Sequence, residues 1–196
     1  MSDVARHAEP TPRRRARTRR LLVLLATVAL APVVLSYLAY YVWPRESRVN
    51  YGELLPVGAL APIEGTKLDG TRFDVADLRG RWIILYTGAG SCPDRCASAL
   101  YAGRQARTIQ NAERERVTRV WLVTDTPLSS TALIAAQADL IVARVDPRAA
   151  ASLPRGADRL YLIDPLGNFV LAWPSKPDIK AMAKDLTRLL RASSIG

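Results

Sequence analysis

The chain has 196 residues and a formal net charge of +10, with 49% hydrophobic residues, two cysteines and one histidine. This length predicts one domain of ordinary size together with an additional segment. The charge divides evenly, with +5 in residues 1–43 and +5 spread over the remainder, which argues against a strongly basic, nucleic-acid-binding domain.

An uncharged apolar run, LLVLLATVALAPVVLSYLAYYVW, occupies residues 21–43. As a helix these 23 residues would extend about 34 Å, enough to cross the roughly 30 Å hydrocarbon core of a bilayer. Tyrosine and tryptophan gather at the distal end, as is typical of a membrane interface. We therefore predict a single transmembrane helix over 21–43 that contacts membrane lipid.

The residues before this span set its predicted orientation. Six arginines lie between Arg13 and Arg20, so residues 1–20 are predicted to form a cytoplasmic basic tail and the rest of the chain to lie outside the cytoplasm. A cleaved signal peptide is the alternative, but the apolar run is long for one and Pro32 follows the only cleavage-like tripeptide. The sole histidine, His7, therefore lies across the membrane from Cys92 and Cys96.

Beyond the span, residues 44–60 mix proline, glycine and charge without a period and are predicted to be a tether, leaving 61–196 as the folded domain. Asp69-Gly70 between two short alternating runs predicts a hairpin. Strands are predicted at 82–87, 120–125, 140–146, 159–164 and 169–173, and helices at 96–112, 130–139 and 178–192. This order predicts an α/β domain with a mixed sheet flanked by helices.

The last predicted helix is amphipathic. One face is apolar and is expected to pack on the sheet. Its members are Ile179, Met182, Ala183, Leu186, Leu189 and Leu190.

Both cysteines lie in GAGSCPDRC, residues 88–96, directly after a predicted buried strand. Ser91 is predicted to cap the following helix, with Asp94 as its capping-box partner. Cys92 would then lie at the positive end of the helix dipole near Arg95, which favours a thiolate. Cys96 would lie one turn further on the same face, about 5–6 Å away between Cβ atoms. That spacing permits either a disulfide or a metal held between two sulfurs.

A purely structural disulfide is the simpler reading of this pair. Closing so short a loop contributes only about 2 kcal/mol in the loop-entropy model. We therefore interpret Cys92 and Cys96 as reactive or metal-binding residues.

The segment LDGTRFDVADLRGRWIILYTGAGSCPDRC, residues 68–96, resembles the Sco family of cytochrome c oxidase assembly proteins, whose motif is Cys-Pro-Asp-x-Cys after an apolar strand. YLIDPLGNFV, residues 161–170, resembles the strand–turn–strand that follows the third copper ligand in that family. The resemblance implies a thioredoxin-like fold, a bacterial inner-membrane anchor and a periplasmic domain. It further implies a respiratory oxidase subunit or another assembly factor as partner, and copper as the metal.

One departure from the family pattern limits this inference. Sco proteins bind copper through two cysteines and a histidine five residues before the tyrosine of the last hairpin, and here that position is Gly156. Met182 is predicted to lie in the core, and Asp158 is too hard a donor for Cu(I). The chain is thus similar to a divergent Sco protein that lacks the copper-ligand histidine.

Three functions remain open at this point. Cys92 and Cys96 would exchange disulfides with a client, whether as an oxidase assembly factor or as a general periplasmic thiol–disulfide oxidoreductase. Alternatively they would carry Cu(I) in a two-sulfur site that a partner completes. The third function is a non-catalytic assembly scaffold that keeps the motif.

Overall fold

A computed structural model describes residues 12–42, 50–56, 58, 61–125, 128, 131–137 and 139–195. The chain forms two compact units, residues 1–48 and 49–196. His7 and Trp43 lie outside the described residues.

The first unit contains one helix, α1, over Pro12–Val42. Its segment Arg19–Leu38 is the one helix among the described residues that is long and apolar enough to cross a membrane. The helix begins within the predicted basic tail rather than after it, because arginine is a good helix former and does not end a helix. Near the other end, Tyr37 and Tyr41 stack with their ring centroids 6.0 Å apart.

The second unit is built on one mixed sheet. Its strands are β1 (Glu53–Leu54), β2 (Glu64–Lys67), β3 (Arg72–Asp74), β4 (Trp82–Gly88), β5 (Val117–Val123), β6 (Leu140–Val145), β7 (Leu160–Ile163) and β8 (Phe169–Trp173). Within the described residues these strands have the order β1-β8-β7-β4-β5-β6-β2-β3. β4, β5 and β6 are parallel, whereas β7 is antiparallel to β4 and β8 is antiparallel to β7.

Four further helices accompany this sheet. They are α2 (Asp94–Thr108), α3 (Thr131–Ala135), α4 (Pro147–Ala151) and α5 (Ile179–Ala192), together with short 3₁₀ segments at Val75–Leu78 and Asn111–Arg116. All seven residues of β4 are buried, as predicted for a central strand covered on both faces. Alternate residues point to opposite faces: Trp82, Ile84 and Tyr86 join the core beneath α2 and α5, while Ile83 and Leu85 join the second core.

Two predicted helices differ in length from the observed ones. The helix predicted over 96–112 begins earlier, at Asp94, and ends at Thr108, before a 3₁₀ segment. The helix predicted over 130–139 is only Thr131–Ala135. Short helices gain little from propensity and depend on tertiary packing, which a local pattern does not report.

The predicted tether is partly wrong, because residues 50–56 belong to the folded domain. β1 pairs with β8, with Glu53 opposite Ala172, and Leu55 is buried. A buried carboxylate on α5 also holds this segment: Asp185 accepts hydrogen bonds from Tyr51 N at 3.0 Å and Gly52 N at 2.8 Å. Trp173 Nε1 donates to the same carboxylate at 3.1 Å, so three donors compensate its desolvation.

Candidate dithiol site

The two cysteines form a disulfide at the point where β4 leads into α2. Their Cα atoms are 5.0 Å apart. The bond lies beyond the C-terminal end of β4, the edge at which α/β sheets commonly bind ligands. The structure thus brings together the two residues that the sequence singled out and joins them in a disulfide.

The local conformation corrects two details of the prediction. Cys92 has a left-handed backbone with φ of 40° and precedes the helix, so the two cysteines do not share one helix face. The N-cap of α2 is Pro93, not Ser91, and it makes no side-chain capping bond. Proline disfavours the α region for the residue before it, so Cys92 cannot start the helix and the capping box cannot form.

The two sulfur-bearing residues differ in exposure. Cys92 keeps 7% of its surface exposed and Cys96 only 1%. Pro93, Asp94 and Arg95 around them are exposed. Cys92 is thus the more exposed of the two, although both belong to the buried core.

A polar pair borders the strand end that carries this turn. Tyr86 donates its hydroxyl hydrogen bond to Asp158 Oδ1 at 3.3 Å, and the Asp158 amide donates to the Thr87 carbonyl at 2.8 Å. Burial, reinforced by the Asp158 carboxylate, raises the pKa of Tyr86 well above its ordinary value, and the opposing charge of Arg95 is the weaker influence. Tyr86 is thus a neutral hydrogen-bond donor at physiological pH.

Gly88 is required where this pair meets the strand. A Cβ at Gly88 would lie 2.9 Å from Asp158 Oδ1 and 3.0 Å from the Tyr86 hydroxyl, closer than real Cβ contacts allow. Asp158 itself has a left-handed backbone with φ of 58°. Strained non-glycine residues tend to gather at functional sites, and Cys92 and Asp158 both lie at this edge.

Sequence reasoning missed part of this edge. Asp125, two residues after the end of β5, accepts a hydrogen bond from Gly90 N at 2.5 Å and so closes the turn that leads to Cys92. Its position after a buried strand was the available signal. Tyr86 gave no signal, because an aromatic residue in an apolar strand is indistinguishable from core.

Gly156, the position at which the resemblance implies a histidine, lies in the loop before β7. Its φ is 73°, and a Cβ there would have no atom within 4 Å. Its carbonyl accepts a hydrogen bond from the Tyr161 hydroxyl at 2.6 Å. Met182 is fully buried in the core, as predicted.

No group of three histidine, cysteine, aspartate or glutamate side chains among the described residues is arranged to hold a metal ion. The Asp158 carboxylate is engaged by the Tyr86 hydroxyl. Among the described residues, the soft donors at this site are therefore the two cysteine sulfurs.

Comparisons with solved structures place this site in a known fold. ScoI from Bradyrhizobium japonicum with copper bound has a TM-score of 0.54 at 19% identity, over 67% of this chain and 99% of that one. ScoI from Arabidopsis thaliana with copper bound has a TM-score of 0.56 at 22% identity, over 69% and 100%. BsSco, described as having a disulfide switch, has a TM-score of 0.56 at 12% identity, over 72% and 98%.

These similarities confirm the predicted thioredoxin-like fold and the structural resemblance to Sco proteins. No curated protein sequence matches the chain. The family model described as "Transmembrane-like, thioredoxin-like, C-terminal domain" matches residues 82–193, which include the disulfide and all elements from β4 to α5. The chain therefore belongs to this transmembrane-like, thioredoxin-like C-terminal domain family.

Proposed function

We propose that the chain is a membrane-anchored, Sco-like protein that assists cytochrome c oxidase biogenesis by thiol–disulfide exchange through Cys92 and Cys96. The observation that carries the proposal is the disulfide itself, formed by the only two cysteines at a sheet edge, with Cys92 the more exposed partner. A staple that closes so short a loop would add only about 2 kcal/mol of stability. Reactivity is the better reason for it.

The exchange proceeds in two steps. The Cys92 thiolate attacks one sulfur of a client disulfide, so a Cys92–client bond forms and the second client sulfur leaves as a thiolate. The Cys96 thiolate then attacks Cys92 Sγ, which closes the Cys92–Cys96 bond and releases the first client sulfur. The client gains two electrons and two protons, and a dithiol reductant must reopen the bond after each cycle.

The fold supplies three contributions to these steps. The N-terminus of α2 and the exposed Arg95 favour the Cys92 thiolate over the thiol. The turn closed by Asp125 positions Cys92, the more exposed of the two cysteines, just before α2. Burial of Cys96 keeps the resolving sulfur away from competing thiols until a mixed disulfide has formed.

For location, we propose the bacterial inner membrane, with the N-terminus in the cytoplasm and the C-terminal domain in the periplasm. The apolar helix segment Arg19–Leu38 supports the anchor, and the preceding arginines support the orientation. The disulfide supports an oxidising compartment. A respiratory oxidase subunit or another assembly factor is the proposed partner, since BsSco, similar in fold, is described as a member of a family of cytochrome c oxidase assembly proteins.

Cu(I) handling is the second candidate, with copper as cargo. Two similar structures contain copper, and the thiolates released by reduction of Cys92–Cys96 are soft donors that suit Cu(I). This donor set fits a two-sulfur Cu(I) site completed by a partner. It does not fit Cu(II), which prefers a nitrogen ligand that Gly156 does not provide.

Serine substitutions test the proposal in cells that lack the native chain. At equal protein levels, Cys92→Ser, Cys96→Ser and the double variant should each reduce oxidase activity in membranes to that of the deletion strain. Full activity in the double variant would instead establish a scaffold.

The single variants also identify the client. Cys96→Ser should retain a client on Cys92 as a mixed disulfide, while Cys92→Ser, the matched control, should retain none. An oxidase subunit or assembly factor in the trapped fraction supports the proposal. A broad set of unrelated exported proteins would identify a general thiol–disulfide oxidoreductase.

A further inference from the structure

We infer that a groove between α2 and α5 binds the client polypeptide next to its reacting cysteine, and that it selects an apolar residue with an acidic residue beside it. This inference rests on the proposed exchange function and specifies its substrate. The α2–α5 groove has a volume of about 490 Å³ and is lined by Ala97, Ser98 and Tyr101 on one side and by Lys176, Pro177 and Ile179 on the other.

The position of the groove links it to the chemistry. Its lining begins at Ala97, the residue after Cys96, and continues to Tyr101. Tyr101 comes five residues after Cys96, which is about 7.5 Å further along the helix axis. An extended polypeptide covers that distance in two or three residues at about 3.3 Å each. Since the Cα atom of Cys92 is a further 5.0 Å from that of Cys96, a client residue two to four positions from the cysteine held at Cys92 can reach the groove.

The lining is mostly apolar and includes an aromatic ring that the domain itself does not cover. Tyr101 is 54% exposed, and Pro177 and Ile179 face it across the groove. A tyrosine in such a place offers a large contact area at low entropic cost. An apolar client side chain would bury this surface.

The charge of the groove lining explains why the second selected client residue is acidic. Lys176 is the only charged residue of the lining, and it makes no ion pair with any described residue. The neighbouring Asp178 carboxylate is the N-cap of α5 and accepts from Ala181 N at 2.7 Å. Asp94 is exposed beside Cys92 and does not line the groove. A client carboxylate is thus favoured next to Lys176.

Other cavities in the described part of the domain lack these features. One is lined by polar residues that include Glu113 and Arg116, which pair with each other. Another lies at the β2–β3 edge and carries both Glu64 and Arg79. Neither has a lining residue next to a cysteine, so neither can read the residues that flank a client sulfur.

The test uses the reduced full-length chain in lipid nanodiscs and synthetic peptides whose single cysteine is activated with an aromatic thiol. Attack by Cys92 on the peptide sulfur releases the coloured thiolate. Each peptide carries a leucine two residues from the cysteine. A glutamate or a lysine is placed directly before or directly after that leucine. At low salt the best glutamate peptide should react about fivefold faster than its lysine counterpart, the effect of one close ion pair near a protein surface.

Three variants locate the effect. Lys176→Glu should reverse the preference between the glutamate and lysine peptides, and Tyr101→Ala should slow both peptides several-fold. Arg81→Glu is the matched control, because Arg81 is exposed at the opposite end of β4, and it should keep the native preference. Equal rates for both peptides, or the same effect of Arg81→Glu and Lys176→Glu, would overturn the inference.

Two further outcomes separate the alternatives. If the reduced native chain releases no thiolate from any peptide, the exchange function itself fails. If anionic phosphatidylglycerol in the nanodiscs abolishes the peptide preference while phosphatidylcholine preserves it, the groove faces the lipid surface and the inference is wrong. A preference that persists in both lipids supports a polypeptide occupant.

Discussion

The two ends of the parallel strands are built in opposite ways. At the N-terminal end, Arg119 on β5 is 2% exposed and donates to Gln137 Oε1 at 2.7 Å and to the Asp139 carboxylate. At the C-terminal end, the disulfide, the left-handed Cys92 and the left-handed Asp158 lie together. One end buries charge and pairs it, while the other has backbone strain beside the disulfide.

This difference suggests how the domain separates stability from chemistry. Burial lowers the pKa of Arg119 and outweighs the opposing influence of Asp139. Burial also acts to raise the pKa of Asp139, but the hydrogen bond and charge of Arg119 outweigh it, so this pKa lies below its ordinary value. Arg107 adds a second bond to Asp139 at 2.5 Å. Such a network rigidifies the fold far from the sulfurs.

The largest expected effect comes from breaking the charged network of Arg119 at the N-terminal end of the parallel strands. Arg119→Ala should lower the free energy of unfolding by about 3 kcal/mol, since it removes one member of a buried pair and leaves its partners unsatisfied. The Asp139 side chain is 40% exposed, which places the loss at the lower end of the range for such pairs. Urea unfolding of the full-length chain in detergent, followed by fluorescence of the buried tryptophans, measures it.

The control for this variant is Arg72→Ala, which breaks a surface pair whose side chains are 68% and 61% exposed and should cost less than about 1 kcal/mol. Exchange rates per folded molecule should be unchanged in both variants. Slower exchange in folded Arg119→Ala would show that the two ends are coupled.

The next effect concerns the reactive end and copper. Gly156→His should raise Cu(II) affinity at least about tenfold, or 1.4 kcal/mol, because it adds a nitrogen ligand where the family pattern has one. The added side chain meets no atom within 4 Å of its Cβ, but the left-handed backbone should cost about 1 kcal/mol of stability. Titration of the reduced chain with copper, alongside urea unfolding, measures both.

Gly156→Ala is the matched control, since it carries the same backbone cost without a ligand. If Gly156→His binds Cu(II) no more tightly than this control, the correspondence between Gly156 and the histidine of Sco proteins is disproved. The Sco resemblance would then rest on the cysteine motif and the fold.

The smallest expected effect measures the backbone strain at Asp158, near the C-terminal end of β4. Asp158→Gly should be more stable than Asp158→Ala by about 1 kcal/mol, because both lose the bond from Tyr86 and only glycine accepts the left-handed backbone without cost. Thermal unfolding of the two variants gives the difference. At the adjacent Ala157, where φ is not positive, a change to glycine should instead destabilise; stabilisation there would mean that loop flexibility, not strain, explains the result.

Much of the fold could be predicted because its signals are local. The central strands are near-continuous apolar runs, the Asp69-Gly70 pair predicts the β2–β3 hairpin, and α5 shows a clear apolar face. β1 could not be found this way, since Glu53 and Leu54 become a strand only by pairing with β8, more than a hundred residues away in the chain. The burial of Asp185 was likewise unpredictable, because it depends on donors from β8 and from a segment 133 residues away in the chain.

The candidate site likewise contains residues that local sequence predicts and residues that it does not. The cysteine spacing and the preceding strand identified Cys92 and Cys96 from sequence alone. The capping pattern of Ser91 and Asp94 predicts a helix that begins at Cys92. Pro93 disfavours the helical conformation for Cys92, so α2 begins at Asp94. The Tyr86–Asp158 contact joins residues 72 positions apart, and no local pattern reports such a pair.

The Asp185 carboxylate also has a mechanical consequence. Residues 43–49 connect α1 to Tyr51 and Gly52, whose amides are held by this single side chain on the last helix. Tension along the chain from α1 therefore reaches the domain where its first and last segments meet. It loads the hydrogen bonds that Asn50 accepts from Arg188 and that Asp185 accepts from Tyr51 and Gly52 before the two-residue ladder of β1. Under a pulling force, the domain would open where its first and last segments meet, while the central strands next to the disulfide stayed paired.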